Sequence, residues 1–103
     1  MSPHEFRSIF LEQEGVSEGS HRGHADFRMR NRVVGSLGYP DESWGMVKLK
    51  PEQQAVVIEA EKDVFEPAPG SWGREGSTLV RLAHIDEATA LSVIRMACGN
   101  FAP

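Results

Sequence analysis

Residues 27–50, FRMRNRVVGSLGYPDESWGMVKLK, decide the fold. Phe27 and Met29 alternate with Arg28 and Arg30, the period-2 signature of a strand, and Asn31 is a turn residue. Arg32 to Leu37 reads as a second strand, and Gly38-Tyr39-Pro40-Asp41-Glu42 carries strong turn chemistry. Trp44 to Lys50 alternates again, with Gly45, Val47 and Leu49 on one side and Trp44, Met46, Lys48 and Lys50 on the other. The connections are too short for a crossover, so the three strands pair antiparallel.

The flanks supply helices. Ser2-Pro3-His4-Glu5 is a capping-box pattern with Pro at the first helical position, and Phe6, Ile9 and Phe10 follow at i, i+3 and i+4. This predicts a helix over residues 3–14, with Gly15 as a stop. Residues 17–24 lack any apolar period and read as a loop. Pro51 opens a second helix, to about residue 62, that carries Ala55, Val56, Val57 and Ile58. Val64 and Phe65 suggest a short strand, residues 66–76 a Pro- and Gly-rich loop, and Thr78 to Ala83 a further strand. Asp86 caps a last helix with Leu91, Ile94, Cys98 and Phe101 at helical spacing. The order α-β-β-β-α-β-β-α predicts a two-layer α+β domain over residues 1–103, with helices on one face of an antiparallel sheet. Repeats and low-complexity tracts are absent.

Composition narrows the function classes. The chain has 103 residues, 40% apolar, and a net charge of −4, so one small core is expected. No apolar run approaches the roughly 18 residues of a membrane span. The N-terminus carries no basic-then-apolar signal, and a cytoplasmic location is expected. Cys98 is the sole cysteine, which excludes an internal disulfide and a cysteine-rich metal site. Its place on the apolar stripe of the last helix marks a small buried hydrophobe rather than a nucleophile. No G-x-S-x-G, P-loop or dinucleotide fingerprint is present, so neither enzymatic chemistry nor a cofactor is expected.

Charge is distributed unevenly. Residues 21–50 hold six basic and three acidic side chains, and the rest of the chain five basic and twelve acidic. If Phe27, Met29, Val33, Val47, Leu49, Val80 and Leu82 face the helices, the other face presents Arg28, Arg30, Arg32, Trp44, Met46, Lys48, Lys50 and Arg81, with Asp26 the only acid of that parity. Such a face suits a polyanion, cations neutralising phosphates and Trp44 stacking on a base. The pattern by itself favours the plainer alternative, a solvated sheet whose long basic side chains cover apolar surface. In the loop Ser71-Trp72-Gly73-Arg74-Glu75-Gly76, Trp72 and Arg74 offer a ring and a guanidinium to a partner, or close the end of the core. His21, His24 and Asp26 have the donor types of a divalent-metal site but no further ligand at a closing spacing, so no metal is expected.

Several stretches resemble the MmcQ/YjbR family: His24-Ala25-Asp26-Phe27-Arg28, Leu37-Gly38-Tyr39-Pro40-Asp41, Trp44-Gly45-Met46-Val47-Lys48-Leu49, Pro51-Glu52-Gln53-Gln54 and Pro69-Gly70-Ser71-Trp72-Gly73. The resemblance runs from the first helix to Pro103 and implies a CyaY-like fold of helix, three strands, helix, two strands and helix, similar to that of secretion chaperones. It also implies DNA binding, the label such proteins commonly carry. The sequence departs from the family at Lys50, where a capping Thr often precedes Pro51, and after Pro103, where many relatives carry a basic tail. The expectation is a non-enzymatic binding module that contacts DNA through Arg28, Arg30, Arg32, Trp44, Lys48, Lys50, Trp72, Arg74 and Arg81. The alternative is a protein-interaction or chaperone-like module, a homodimer or a holder of a partner helix, anchored at Trp44, Met46 and Leu79.

Overall fold

Phe6, Ile9 and Phe10, the apolar stripe of the first helix, are all buried against one face of the sheet. The computed structural model describes residues 1–102. Helix α1 spans Pro3–Leu11 and opens with the expected capping box: the Glu5 amide donates to Ser2 Oγ at 3.1 Å, and the Ser2 amide donates to Glu5 Oε1 at 2.9 Å. Four strands follow, β1 (Ser17–His21), β2 (His24–Met29), β3 (Arg32–Leu37) and β4 (Trp44–Lys48), then α2 (Pro51–Ala60), β5 (Phe65–Pro67), the short α3 (Gly70–Arg74), β6 (Ser77–Arg81), a single 3₁₀ turn (Leu82–His84) and α4 (Glu87–Gly99). The six strands form one antiparallel sheet in the order β1-β2-β3-β4-β6-β5.

Two glycines let α1 reach the sheet. A Cβ on Gly35 would stand 2.2 Å from Phe10 Cζ, and one on Gly45 would stand 2.8 Å from Phe6 Cε2. Phe10 in turn stacks on Phe27 with centroids 4.6 Å apart and planes 10° apart, while Phe6 meets Phe10 edge-on at 5.4 Å. Helix α4 packs beside α1, burying Ala90, Val93, Ile94, Ala97 and Cys98, and α2 lies toward β5 on the same side. Burial pushes the Cys98 thiol pKa up. The two-layer α+β architecture is therefore as the strand and helix periods require. Among the described residues, no helix is long and apolar enough to cross a membrane.

Three local expectations are corrected. Residues 17–21, expected as a loop, form the edge strand β1, whose Ser-Glu-Gly-Ser-His sequence has no apolar period because its side chains stay largely exposed. The parity of β3 is inverted at its start: Asp26 and Phe27 pair with Ser36 and Gly35, but Arg28 pairs with Val33, so Val34 is the extra residue of a bulge. Val34 is consequently buried at 0% exposure and Val33, expected in the core, is 38% exposed. Finally, the 66–76 loop contains α3 and the end of β5.

Candidate nucleic-acid interface

Opposed residues in neighbouring strands share a face, so register maps the bare side of the sheet. One row across it reads Gly19, Asp26, Ser36, Met46, Leu79 and Glu66. Trp44 and Arg81 are opposite each other on one side of this row, and Arg28 and Lys48 lie on the other.

This face is less cationic than its alternation suggests. Arg28 donates to Asp26 through Nε–Oδ1 at 2.8 Å and Nη2–Oδ2 at 2.9 Å, and the bonded carboxylate raises the guanidinium pKa above its ordinary value. Asp26 is only 4% exposed, so this charge is committed to its partner. Arg81 donates to Glu66 Oε1 at 2.5 Å, and its guanidinium lies 4.3 Å from the centroid of Trp44. That arrangement covers one face of the indole expected to stack on a base. Glu66 is a second acid of outward parity, missed because the sequence pattern stopped the short Val64–Phe65 strand at Phe65, whereas β5 extends to Pro67.

Arg30 and Arg32 also leave the sheet face. Arg30 and Asn31 are a two-residue turn with φ of +53° and +66°, the geometry that suits the twist of a hairpin. Arg32 is opposite Met29, whose side chain is in the core, so its parity is that of the helix face while its side chain is exposed.

The remaining groups share one end of the sheet. The β2–β3 turn carries Arg30 and Arg32, β4 ends at Lys48 with Lys50 just beyond, and β6 begins opposite Lys48 at Ser77, directly after α3 with Trp72 and Arg74. The Leu49 amide donates to Gly76 O at 3.0 Å, which ties the end of β4 to the segment after α3. Gln54 fixes that segment from α2: its Nε2 lies 3.0 Å from Gly73 O, 3.1 Å from Ser77 O and 3.2 Å from Thr78 Oγ1. Trp72 is held on this clamped turn with 65% of its surface exposed. The ion pairs among the described residues are Arg7–Glu18, Arg28–Asp26, Lys62–Glu59 and Arg81–Glu66, so Arg30, Arg32, Lys48, Lys50 and Arg74 are outside them. Glu52 and Glu75 are sequence neighbours of Lys50 and Arg74 and moderate the field at this end.

His21 and His24 face each other across the β1–β2 hairpin, both exposed, while Asp26 is taken by Arg28. Among the described residues, no three His, Cys, Asp or Glu side chains gather as a metal site. His84 Nδ1 lies 2.8 Å from Asp63 O, a local tie in the turn before α4. No family model, curated protein or solved structure matches the chain.

Proposed function

We propose that the chain is a non-enzymatic module that binds DNA through its phosphates, using the sheet end that carries Arg30, Arg32, Lys48, Lys50, Trp72 and Arg74 rather than the whole sheet face. The observation that supports this is the set of five cations outside ion pairs beside an exposed indole held on a clamped turn. The MmcQ/YjbR resemblance adds to it, since the stretches Trp44–Leu49, Pro51–Gln54 and Pro69–Gly73 supply much of this end. Cations that meet phosphates displace condensed counterions, so binding is salt-dependent and carries little sequence preference. Trp72 adds stacking on an exposed base or sugar. A cytoplasmic location belongs to the same reading.

The test is an anisotropy titration of labelled duplex and single-stranded oligonucleotides at two salt concentrations. Binding at low salt that weakens at high salt, and that Lys48→Gln with Lys50→Gln reduces alike for unrelated sequences, supports the proposal. Failure of both oligonucleotides to bind at low salt removes it.

A second reading concerns the sheet face itself. Its two ion pairs neutralise Arg28 and Arg81, leaving Trp44 and Met46 half-buried and Val33 exposed on a nearly neutral surface. That chemistry suits a protein partner or a second copy better than a polyanion. A mass by light scattering that rises with concentration, and that Met46→Asp returns to the monomer value, favours this reading.

A further inference from the structure

Helix α2 is apolar on more of its circumference than it buries. Ala55, Val56, Val57, Ile58 and Ala60 are half of its ten residues, yet none is buried, and Val56 is 65% exposed. A helix apolar on several sides is normally covered on several sides. Beside it runs a groove of about 320 Å³, walled by Val57 and Ala60 on α2 and by Thr89, Ser92 and Met96 on α4, with Phe65 and Val93 also lining it. The helices are antiparallel across this groove. Gln53 and Asn100 exchange side-chain amide hydrogen bonds of 3.1 and 2.7 Å at one end, while Glu61 and Ala88 line the other. Ala60 lies one turn along from Val56, so the apolar strip continues out of the groove over the solvent side of α2.

The open end is acidic. Glu59, Glu61 and Asp63 close α2, and Asp86 and Glu87 begin α4; the Lys and Arg side chains nearest in sequence are Lys62, paired with Glu59 at 3.6 Å, and Arg81, paired with Glu66. Arg95 stands one turn beyond Ser92 on the rim of the groove, toward the Gln53–Asn100 end and away from the acidic one. We infer that this groove docks a short basic amphipathic helix from a partner protein, its apolar stripe against Val57, Phe65, Val93 and Met96 and its basic flank against Glu61 and Glu87. Ten residues of α2 span about 15 Å, so the groove accommodates two to three turns. A second copy fits less well, because its own helices would set acid against acid. The inference does not depend on the DNA reading, which concerns the opposite pole of the molecule.

The probe is a fluorescein-labelled 12-residue synthetic peptide with leucines at i, i+4 and i+7 and lysines elsewhere, titrated against the full chain by anisotropy. Two control peptides carry serine for every leucine, or glutamate for every lysine. Saturable one-to-one binding of the first peptide alone is expected. Ser92→Tyr, which lays a ring across the groove from an exposed position, weakens it at least tenfold. Ala60→Arg does the same from the other wall should Ser92→Tyr not fold. Glu61→Gln with Glu87→Gln weakens binding severalfold at low salt, a difference that fades at high salt. Equal binding of the serine peptide, or unchanged binding to both wall variants, assigns the contact to charge elsewhere and overturns the inference. No binding of the leucine peptide overturns it too, as does self-association of the chain that Ser92→Tyr abolishes, which assigns the groove to a second copy.

Discussion

Asp26 is buried on the bare side of the sheet, and both of its oxygens accept from Arg28. Removing one member of such a pair leaves a charge without a partner, whereas removing both leaves neither. Arg28→Ala is therefore expected to lower the urea midpoint more than Arg28→Ala combined with Asp26→Asn, and equal midpoints would mean that water replaces the guanidinium at no cost. Gly35 poses a steric question instead. Its added methyl would stand 2.2 Å from Phe10 Cζ, and Phe10 cannot retreat because it stacks on Phe27. Gly35→Ala is expected to cost about 1–3 kcal/mol in chemical denaturation, the usual range for overpacking. Gly99→Ala is the control: nothing lies within 4 Å of its Cβ, and the change is neutral to slightly stabilising in a helix.

Helix α4 illustrates what sequence makes legible at the level of an element. Asp86 before an apolar stripe announces the start, and the Thr89 amide duly donates to Asp86 Oδ1 at 2.8 Å. Hydrogen bonding to Thr89, its backbone N–H foremost, holds the Asp86 carboxyl below its ordinary pKa. A folded-state pKa lower than the unfolded one gives stability that is present above the unfolded pKa and lost as pH falls through the folded one. The stability gap between the native chain and Asp86→Ala is thus expected to narrow as pH drops from 6 toward 2, read from urea midpoints. Other elements leave no such mark. β1 is polar throughout, and its strand exists through pairing with β2, a partner that no local pattern names. The bulge at Val34 interrupts an Arg-Val-Val-Gly run in which either valine satisfies a period of two, so only the stacking of Phe10 beneath Gly35 selects the inward one. α3 is a five-residue turn with Gly70 at its start, indistinguishable from a loop by composition. What holds it is Gln54, whose acceptors Gly73 O and Ser77 O are 19 and 23 residues away in sequence. Gln54→Ala is expected to cost about 0.5–1.5 kcal/mol, the range for a lost hydrogen bond, because Gly73 O and Ser77 O still accept from the Gly76 and Ala68 amides. It should also alter the Trp72 emission, measured in a Trp44→Phe background, and an unchanged spectrum would show that α3 stands without the clamp.

The whole molecule separates its charges, but along a different axis from the one that strand alternation suggests. Of the cations outside the ion pairs, Arg30, Arg32, Lys48, Lys50 and Arg74 gather at one sheet end, with Arg22 and Arg95 elsewhere, while the acids of α2 and α4 crowd the open end of the groove. The alternation of β2 and β4 is readable in sequence, yet the partners that neutralise Arg28 and Arg81 depend on register and on β5. This difference has a measurable consequence for the proposed DNA contact. Five cations, Arg30, Arg32, Lys48, Lys50 and Arg74, limit the slope of log K against log salt on duplex DNA to about −4.5, at roughly −0.9 per phosphate neutralised. Were Arg28 and Arg81 also to reach phosphates, the limit would be about −6. Glu66→Gln releases the Arg81 guanidinium from its carboxylate while leaving it over Trp44. If DNA extends onto the sheet face, this variant binds more tightly and its slope steepens by about one phosphate; if contact is confined to the sheet end, affinity and slope stay as they were. The second result is the one expected, and a steeper slope would return the sheet face to the interface.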